Sequence, residues 1–404
     1  MRVYAPGPVM QPQPPPYDPD ALEAFVALAG RALWAARIAE IGAWAAAGRR
    51  EGQAIRQRHA LELAVERLRG PLRRPPSPAE LYAARLAGDA ATLADALGAA
   101  GRTRLRARLL AGLSGAGTLV PLFHLLRTAA LQASRGFAVS FPGLEAAAPY
   151  DLLIAQGAQE VEIACDVVSA EEGRLVPRDA WSRLADRVEV DLRAWLASRP
   201  GRYLLKMTLP QGLRDGALAE MHARIRRLLA SGGRRDDDAA AVLRLDPLLL
   251  AGGAAEDGLM PSLRREFGPE AHLAVTATGG GVVVMAARAG RSDEVAAAVR
   301  RRLFDIVATR LSGTRPGILA MFIDDTGRGE WRGLRERLEL EGEARQFLAY
   351  PAARPVIAVT CASRCELFGM AVPDAAEGGE MRFRNSMHPA AKALALHAAI
   401  VSSV

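Results

Sequence analysis

The sequence predicts an α/β protein preceded by an all-helical, basic region. Three observations carry that expectation. In the first third of the chain apolar residues recur at three and four, whereas from about residue 137 short β-rich runs alternate with helical ones. Two of the later strand runs, 317–324 and 355–361, are almost uninterruptedly apolar, as strands covered on both faces read. The excess positive charge is confined to the start. Residues 1–140 hold 18 Arg and 10 Asp+Glu, a net of +8, while the other 264 hold 34 Arg+Lys and 35 Asp+Glu, a net of −1.

A chain of 404 residues can bury a sizeable core over two or three domains. Half its residues are hydrophobic and 24% charged, the profile of a soluble globular protein. No apolar run is long enough to span a membrane, and the start, Met1-Arg-Val-Tyr-Ala-Pro-Gly-Pro, has no secretory core. Three cysteines make no disulfide framework, so a reducing cytoplasm is the expected location. Cys361 and Cys365 lack a nearby His or further Cys to complete a zinc site and read as buried strand residues. The only lysines are Lys206 and Lys392. An arginine-biased genome explains most of that imbalance, so the arginines alone do not imply phosphate binding.

Residues 1–17 hold six prolines and read as an extended tail. The helical basic region is expected over 18–110 and the α/β region over 111–404. Asp18 or Asp20 caps a first helix carrying Leu22, Phe25, Val26, Ala29, Leu33, Trp34, Ile38, Ile41 and Trp44. A second helix is predicted over 53–69. Ser77-Pro78-Ala79-Glu80 is a capping box with proline at the first helical position, opening a helix that stops near Gly88, where Asp89 starts another. In Arg102-Thr-Arg104-Leu-Arg106-Ala-Arg108, Leu105 and Leu109 form a stripe and the arginines cover the other faces, making Arg104 and Arg108 candidates for phosphate contact. An apolar helix runs over 114–135 with His124 as a core histidine. A strand at 137–141, helices at 179–198 and 218–229, strands at 202–208 and 241–245, a hairpin over 272–288, and a helix from Asp293 to about 311 follow. A helix at 330–338 separates the two apolar strands. The alternation argues for one central sheet.

The candidate site sits on a hairpin. Asp151-Leu-Leu-Ile and Glu160-Val-Glu162-Ile-Ala164-Cys165-Asp166 flank a turn at Gly157. Folding there sets Asp151 across from residues 162–164, and alternation puts Glu162, Ala164 and Asp166 on one face.

The words Pro149-Tyr150-Asp151, Glu162…Ala164-Cys165-Asp166-Val-Val-Ser169 and Gly173-Arg174…Arg178 resemble one branch of the PD-(D/E)xK restriction-endonuclease-like superfamily. Arg315-Pro-Gly-Ile-Leu…Ile323-Asp-Asp325 and Arg382-Phe-Arg384-Asn385…His388-Pro389 resemble it as well. The resemblance covers residues 111–404. It implies a restriction-endonuclease-like core with a central mixed sheet, and a site where Asp and Glu hold Mg²⁺ or Mn²⁺ while a lysine stabilises charge on the phosphate. Asp151 matches the metal-binding Asp, but Ala164 stands at the Glu position and Asp166 at the Lys position. No acid occurs between Asp95 and Glu145 to supply the helix carboxylate some members add. The resemblance therefore implies a nuclease-derived, non-catalytic protein that binds DNA or a protein partner, with no cofactor. Arg104, Arg108, Arg174 and Arg178 are its candidate nucleic-acid contacts. One alternative is an active Mg²⁺- or Mn²⁺-dependent DNA endonuclease in which Asp151, Glu162 and Asp166 form a rearranged site, Asp151 and Asp166 hold the metal, and Lys206 replaces the lysine. The other is an interaction module without nucleic-acid contact. Ser114-Gly-Ala-Gly117 follows no strand and lacks a third glycine, and no complete P-loop occurs, so no nucleotide cofactor is expected.

Overall fold

In the computed structural model the fold is mixed α/β with two mixed sheets, where the sequence predicts one. The structure describes residues 18–248, 263, 266–268, 271–364 and 380–402; the proline-rich start and Cys365 lie outside them.

Six helices come first: α1 Pro19–Ala29, α2 Arg31–Ala45, α3 Arg49–Arg58, α4 Ala60–Arg69, α5 Pro78–Ala96 and α6 Ala99–Gly112. The first predicted helix is broken at Gly30, whose φ of +103° a side chain would resist. The second is broken at His59. The Ser77 capping box forms as predicted. The helix it opens does not stop at Gly88 but continues to Ala96. A Cβ at Gly88 would lie 3.3 Å from that of Ala21, so this glycine lets α1 approach α5 closely. Leu22, Phe25 and Val26 of α1 pack on the alanine face of α5, and the same core takes in Phe322 and Ala362 from the first sheet.

The first sheet has the order β1-β2-β3-β9-β10-β11. Its strands are β1 Ala138–Ser140, β2 Leu152–Gln156, β3 Gln159–Ser169, β9 Gly317–Asp324, β10 Val356–Ser363 and β11 Met381–Arg384. β1, β2 and β3 form an antiparallel meander, β9 lies parallel to β3, and β10 parallel to β9. The turn at Gly157 closes the β2–β3 hairpin in the predicted register, with Leu152 opposite Ile163. Helix α7, Val120–Ser134, covers one face through Leu125 and Ala129, against Ile154, Val161, Ile163 and Ile318. Helix α8, Pro142–Glu145, bridges β1 and β2. Helix α11, Val295–Val307, covers the other face, against Ala164, Val168, Leu319 and Met321. The predicted cap Asp293 does not cap α11; its carboxylate accepts from the backbone of Leu175 at 3.0 Å. Beyond β9, Leu338 adopts φ +55° between α12, Arg328–Glu336, and α13, Glu339–Leu348. A short helix, α14 His397–Ile400, closes the described chain.

The described strands between β3 and α11 form the second sheet, β5-β6-β4-β8-β7. Its strands are β4 Arg202–Leu209, β5 Arg235–Asp237, β6 Val242–Pro247, β7 His272–Thr278 and β8 Gly281–Ala289, covered by α9 Arg178–Ser198 and α10 Leu218–Ser231. β4 has the composition of a central strand in either sheet. Pairing with β6 and β8 assigns it to the second. No described helix is long and apolar enough to cross a membrane.

Candidate functional site

Asp151 stands immediately before β2. Its backbone N–H donates to the carbonyl of Ile163 at 2.9 Å, which fixes it beside Ala164. The residue is only 2% exposed. Oδ2 accepts from the Cys165 backbone N–H at 2.8 Å and from the Arg310 guanidinium, just beyond α11, at 2.6 Å. Arg108 of α6 approaches Oδ1 to 2.7 Å as an ion pair without hydrogen-bond alignment. The carboxylate is thus enclosed by two guanidinium groups from opposite sides of the sequence.

Asp166 is held separately. Nε and one terminal nitrogen of Arg302, on α11, donate to its two oxygens at 3.1 Å each. This carboxylate holds the Arg302 proton more firmly than that of a free guanidinium. Glu162 is fully buried and accepts from the backbone N–H of Ser312 at 2.8 Å and from its hydroxyl. It therefore anchors the loop before β9. Ala164 packs into the apolar layer under α11, so methyl and methylene groups fill the space a glutamate would take. Among the described residues no group of three or more His, Cys, Asp or Glu side chains is placed to hold a metal.

Lys206 does not join these residues. It lies on β4 in the second sheet, with Nζ 5.6 Å from the centre of the Phe267 ring, because the helix and strand that follow β3 in sequence leave the first sheet. The strand that does follow β3 in space, β9, carries Leu319 and Met321 opposite Ala164 and Asp166. The donor set does not fit a divalent cation. Asp151, Glu162 and Asp166 each already have a cationic or N–H partner of their own.

The four candidate nucleic-acid arginines are engaged within the chain. Arg104 donates to the carbonyls of Leu144 and Glu145, satisfying the end of α8. Arg108 meets Asp151. Arg174 is 7% exposed and bonds Glu330, Glu171 and, at 2.9 Å, the carbonyl of Asp325. Burial opposes its charge, but Glu330 and Glu171 outweigh burial and raise its pKa. Arg178 bonds Glu330 at 2.9 Å; burial and the neighbouring Arg174 lower its pKa. Burial likewise raises Glu171.

Two arginines that pair with the site acids, Arg302 and Arg310, carry no local sequence signal. The nearest hint is a charge imbalance: with no acid between Asp95 and Glu145, Arg104 and Arg108 must find acceptors elsewhere. His124 is a buried core histidine, as expected. Its Nε2 hydrogen-bonds the carbonyl of Ala320 at 2.9 Å, and burial lowers its pKa to about 4. Cys361 is buried, as expected. Comparison with family models, curated proteins and solved structures finds no match to this chain.

Proposed function

We propose that the chain is a nuclease-derived protein that acts by binding a nucleic acid or a protein, its former catalytic centre now an arginine–carboxylate joint. The observation that carries this reading is the enclosure of Asp151 by Arg108 and Arg310. A nuclease centre leaves its carboxylates open to a cation and places a positive group at the scissile phosphate. Here the fixed cations are part of the protein, and the position expected to hold lysine carries Asp166, neutralised by Arg302. A buried carboxylate is costly to strip of its counter-charges, so it ties together the elements that supply them. Asp151 joins α6, the start of β2 and the loop after α11. Descent from a nuclease is supported by the arrangement of the first sheet, in which α7 precedes the β1–β3 meander and β9 lies parallel to β3 with α11 on the other face, the second sheet being inserted between β3 and α11, and by the resemblance that sets Asp151 and Asp166 at the motif positions.

The test is plasmid nicking with Mg²⁺ and with Mn²⁺, alongside duplex binding over a salt series. The expected outcome is no nicking by either the native chain or Asp151→Asn. Metal-dependent nicking abolished by Asp151→Asn overturns the reading. Salt-dependent duplex binding supports nucleic acid as the partner; its absence at low salt favours an interaction module without nucleic-acid contact.

A further inference from the structure

Beyond Glu162, at the N-terminal ends of β9 and β10, lies a groove of about 910 Å³, in the size range of small-molecule sites. Its walls are the loop before β9, the end of α13 with the turn into β10, and the segment after β11. Three features set it apart from the Asp151 joint.

First, none of the groove's lining residues is acidic, although the chain holds 45 Asp+Glu. Second, the wall offers donors. Arg354 is exposed and its guanidinium has no acceptor among the described residues, whereas the neighbouring Arg315 is taken up by Glu160 at 2.7 Å. His388 accepts the N–H of Ala390 through Nδ1 at 3.1 Å, which places the proton on Nε2. Burial lowers the pKa of this imidazole, so it serves as a neutral N–H donor. Third, the groove exposes flat and apolar surface. Tyr350 is 55% exposed; Phe304 meets it edge-on at 5.1 Å. Met387, which also lines the groove, is 89% exposed.

A guanidinium without an acceptor and a neutral N–H donor lining one groove suit an anion with several acceptor oxygens. An exposed aromatic ring and a thioether suit a flat ring. We infer that this groove binds a phosphorylated aromatic ligand of the nucleotide class, its phosphate on Arg354 and His388 and its ring against Tyr350 and Met387. The inference goes beyond the binding role proposed above and uses none of the residues of the Asp151 joint, so either can fail without the other.

The test titrates the full chain with 5′-AMP in phosphate-free buffer by calorimetry, with adenosine and inorganic phosphate as separate ligands. Saturable AMP binding is expected, tighter than that of either fragment. Arg354→Glu weakens AMP and phosphate by about tenfold or more, as expected for loss of a charge-assisted contact. Tyr350→Ala weakens AMP and leaves phosphate unchanged. Both side chains are exposed, and unchanged melting of the two variants confirms that they fold. Competition by a short 5′-phosphorylated oligonucleotide identifies a strand end as the source of the ligand; failure to compete identifies the free nucleotide. No saturable AMP binding at millimolar concentration, or AMP binding unchanged in both variants, overturns the inference.

Discussion

The Asp151 joint and the Arg354 groove stand on neighbouring parts of one sheet and handle charge in opposite ways. At the joint Asp151 and Glu162 are buried and Asp166 is half-buried, and each is met by an arginine or an N–H, so the polar groups are already used. At the groove a guanidinium is exposed without an acceptor and an aromatic ring faces solvent. Saturated polar groups at low exposure hold a fold together, whereas unsatisfied ones at a concave surface are available to a ligand. Residue type alone does not tell these apart. The acids that read as metal ligands in sequence have partners from distant segments.

The largest expected effect breaks the joint. Asp151→Ala leaves Arg108 and Arg310 facing each other without a counter-charge and should cost about 3–5 kcal/mol in urea unfolding. A cost below about 1 kcal/mol would mean that the joint is not structural.

Acid should act next, through His124. Its pKa in the fold, about 4, lies below the usual value of 6.5. The unfolded chain therefore binds the proton first, and stability present above pH 6.5 is lost as pH falls towards 4. The loss should be about 2–3 kcal/mol, and His124→Gln should flatten that part of the melting-temperature profile.

A separate, more acidic step belongs to Glu80. Burial alone would raise its pKa, but hydrogen bonds from Arg67, Ser77 and Arg74 outweigh it and hold the carboxyl at about 2. Its contribution is present above the usual value of 4.5 and lost as pH falls through 2. Allowing for partial solvation, Glu80→Gln should remove about 1–2 kcal/mol of that dependence, read as a smaller change in melting temperature between pH 5 and 2.5.

Asp166→Ala should cost about 1 kcal/mol or less, because Arg302 remains partly solvated. Arg354→Glu marks the other end of the comparison: with no partner to lose, unfolding should shift by no more than about 0.5 kcal/mol. A larger cost would place Arg354 among the structural arginines.

Much of the local structure was legible in the sequence. Gly157 and alternating side chains are enough to set the register of the Asp151 hairpin, because a slip by one residue would turn Val161 and Ile163 away from α7. Ser77 and Glu80 announce their helix because both capping partners lie within one turn. The break at Gly30 was harder to read: the apolar period continues across it, and a positive φ leaves no mark except the glycine itself. Gly88 misleads in the other direction, since its reason is the approach of α1, a tertiary contact. The assignment of β4 to a second sheet was not legible, because strand composition records burial and not the identity of the neighbour. For the same reason the site showed its acids but not their partners. Arg302 and Arg310 lie 136 and 159 residues from Asp166 and Asp151, and no spacing rule reaches that far.

The most direct measurement is Mn²⁺ titration by calorimetry of the native chain and of Asp151→Ala. A joint made of arginine and carboxylate predicts no saturable Mn²⁺ heat that depends on Asp151. The variant should differ from the native chain in stability and not in metal binding. Saturable Mn²⁺ binding by the native chain that disappears in Asp151→Ala would contradict this, because a metal would then be able to displace Arg108 and Arg310 and the centre would still be a metal site.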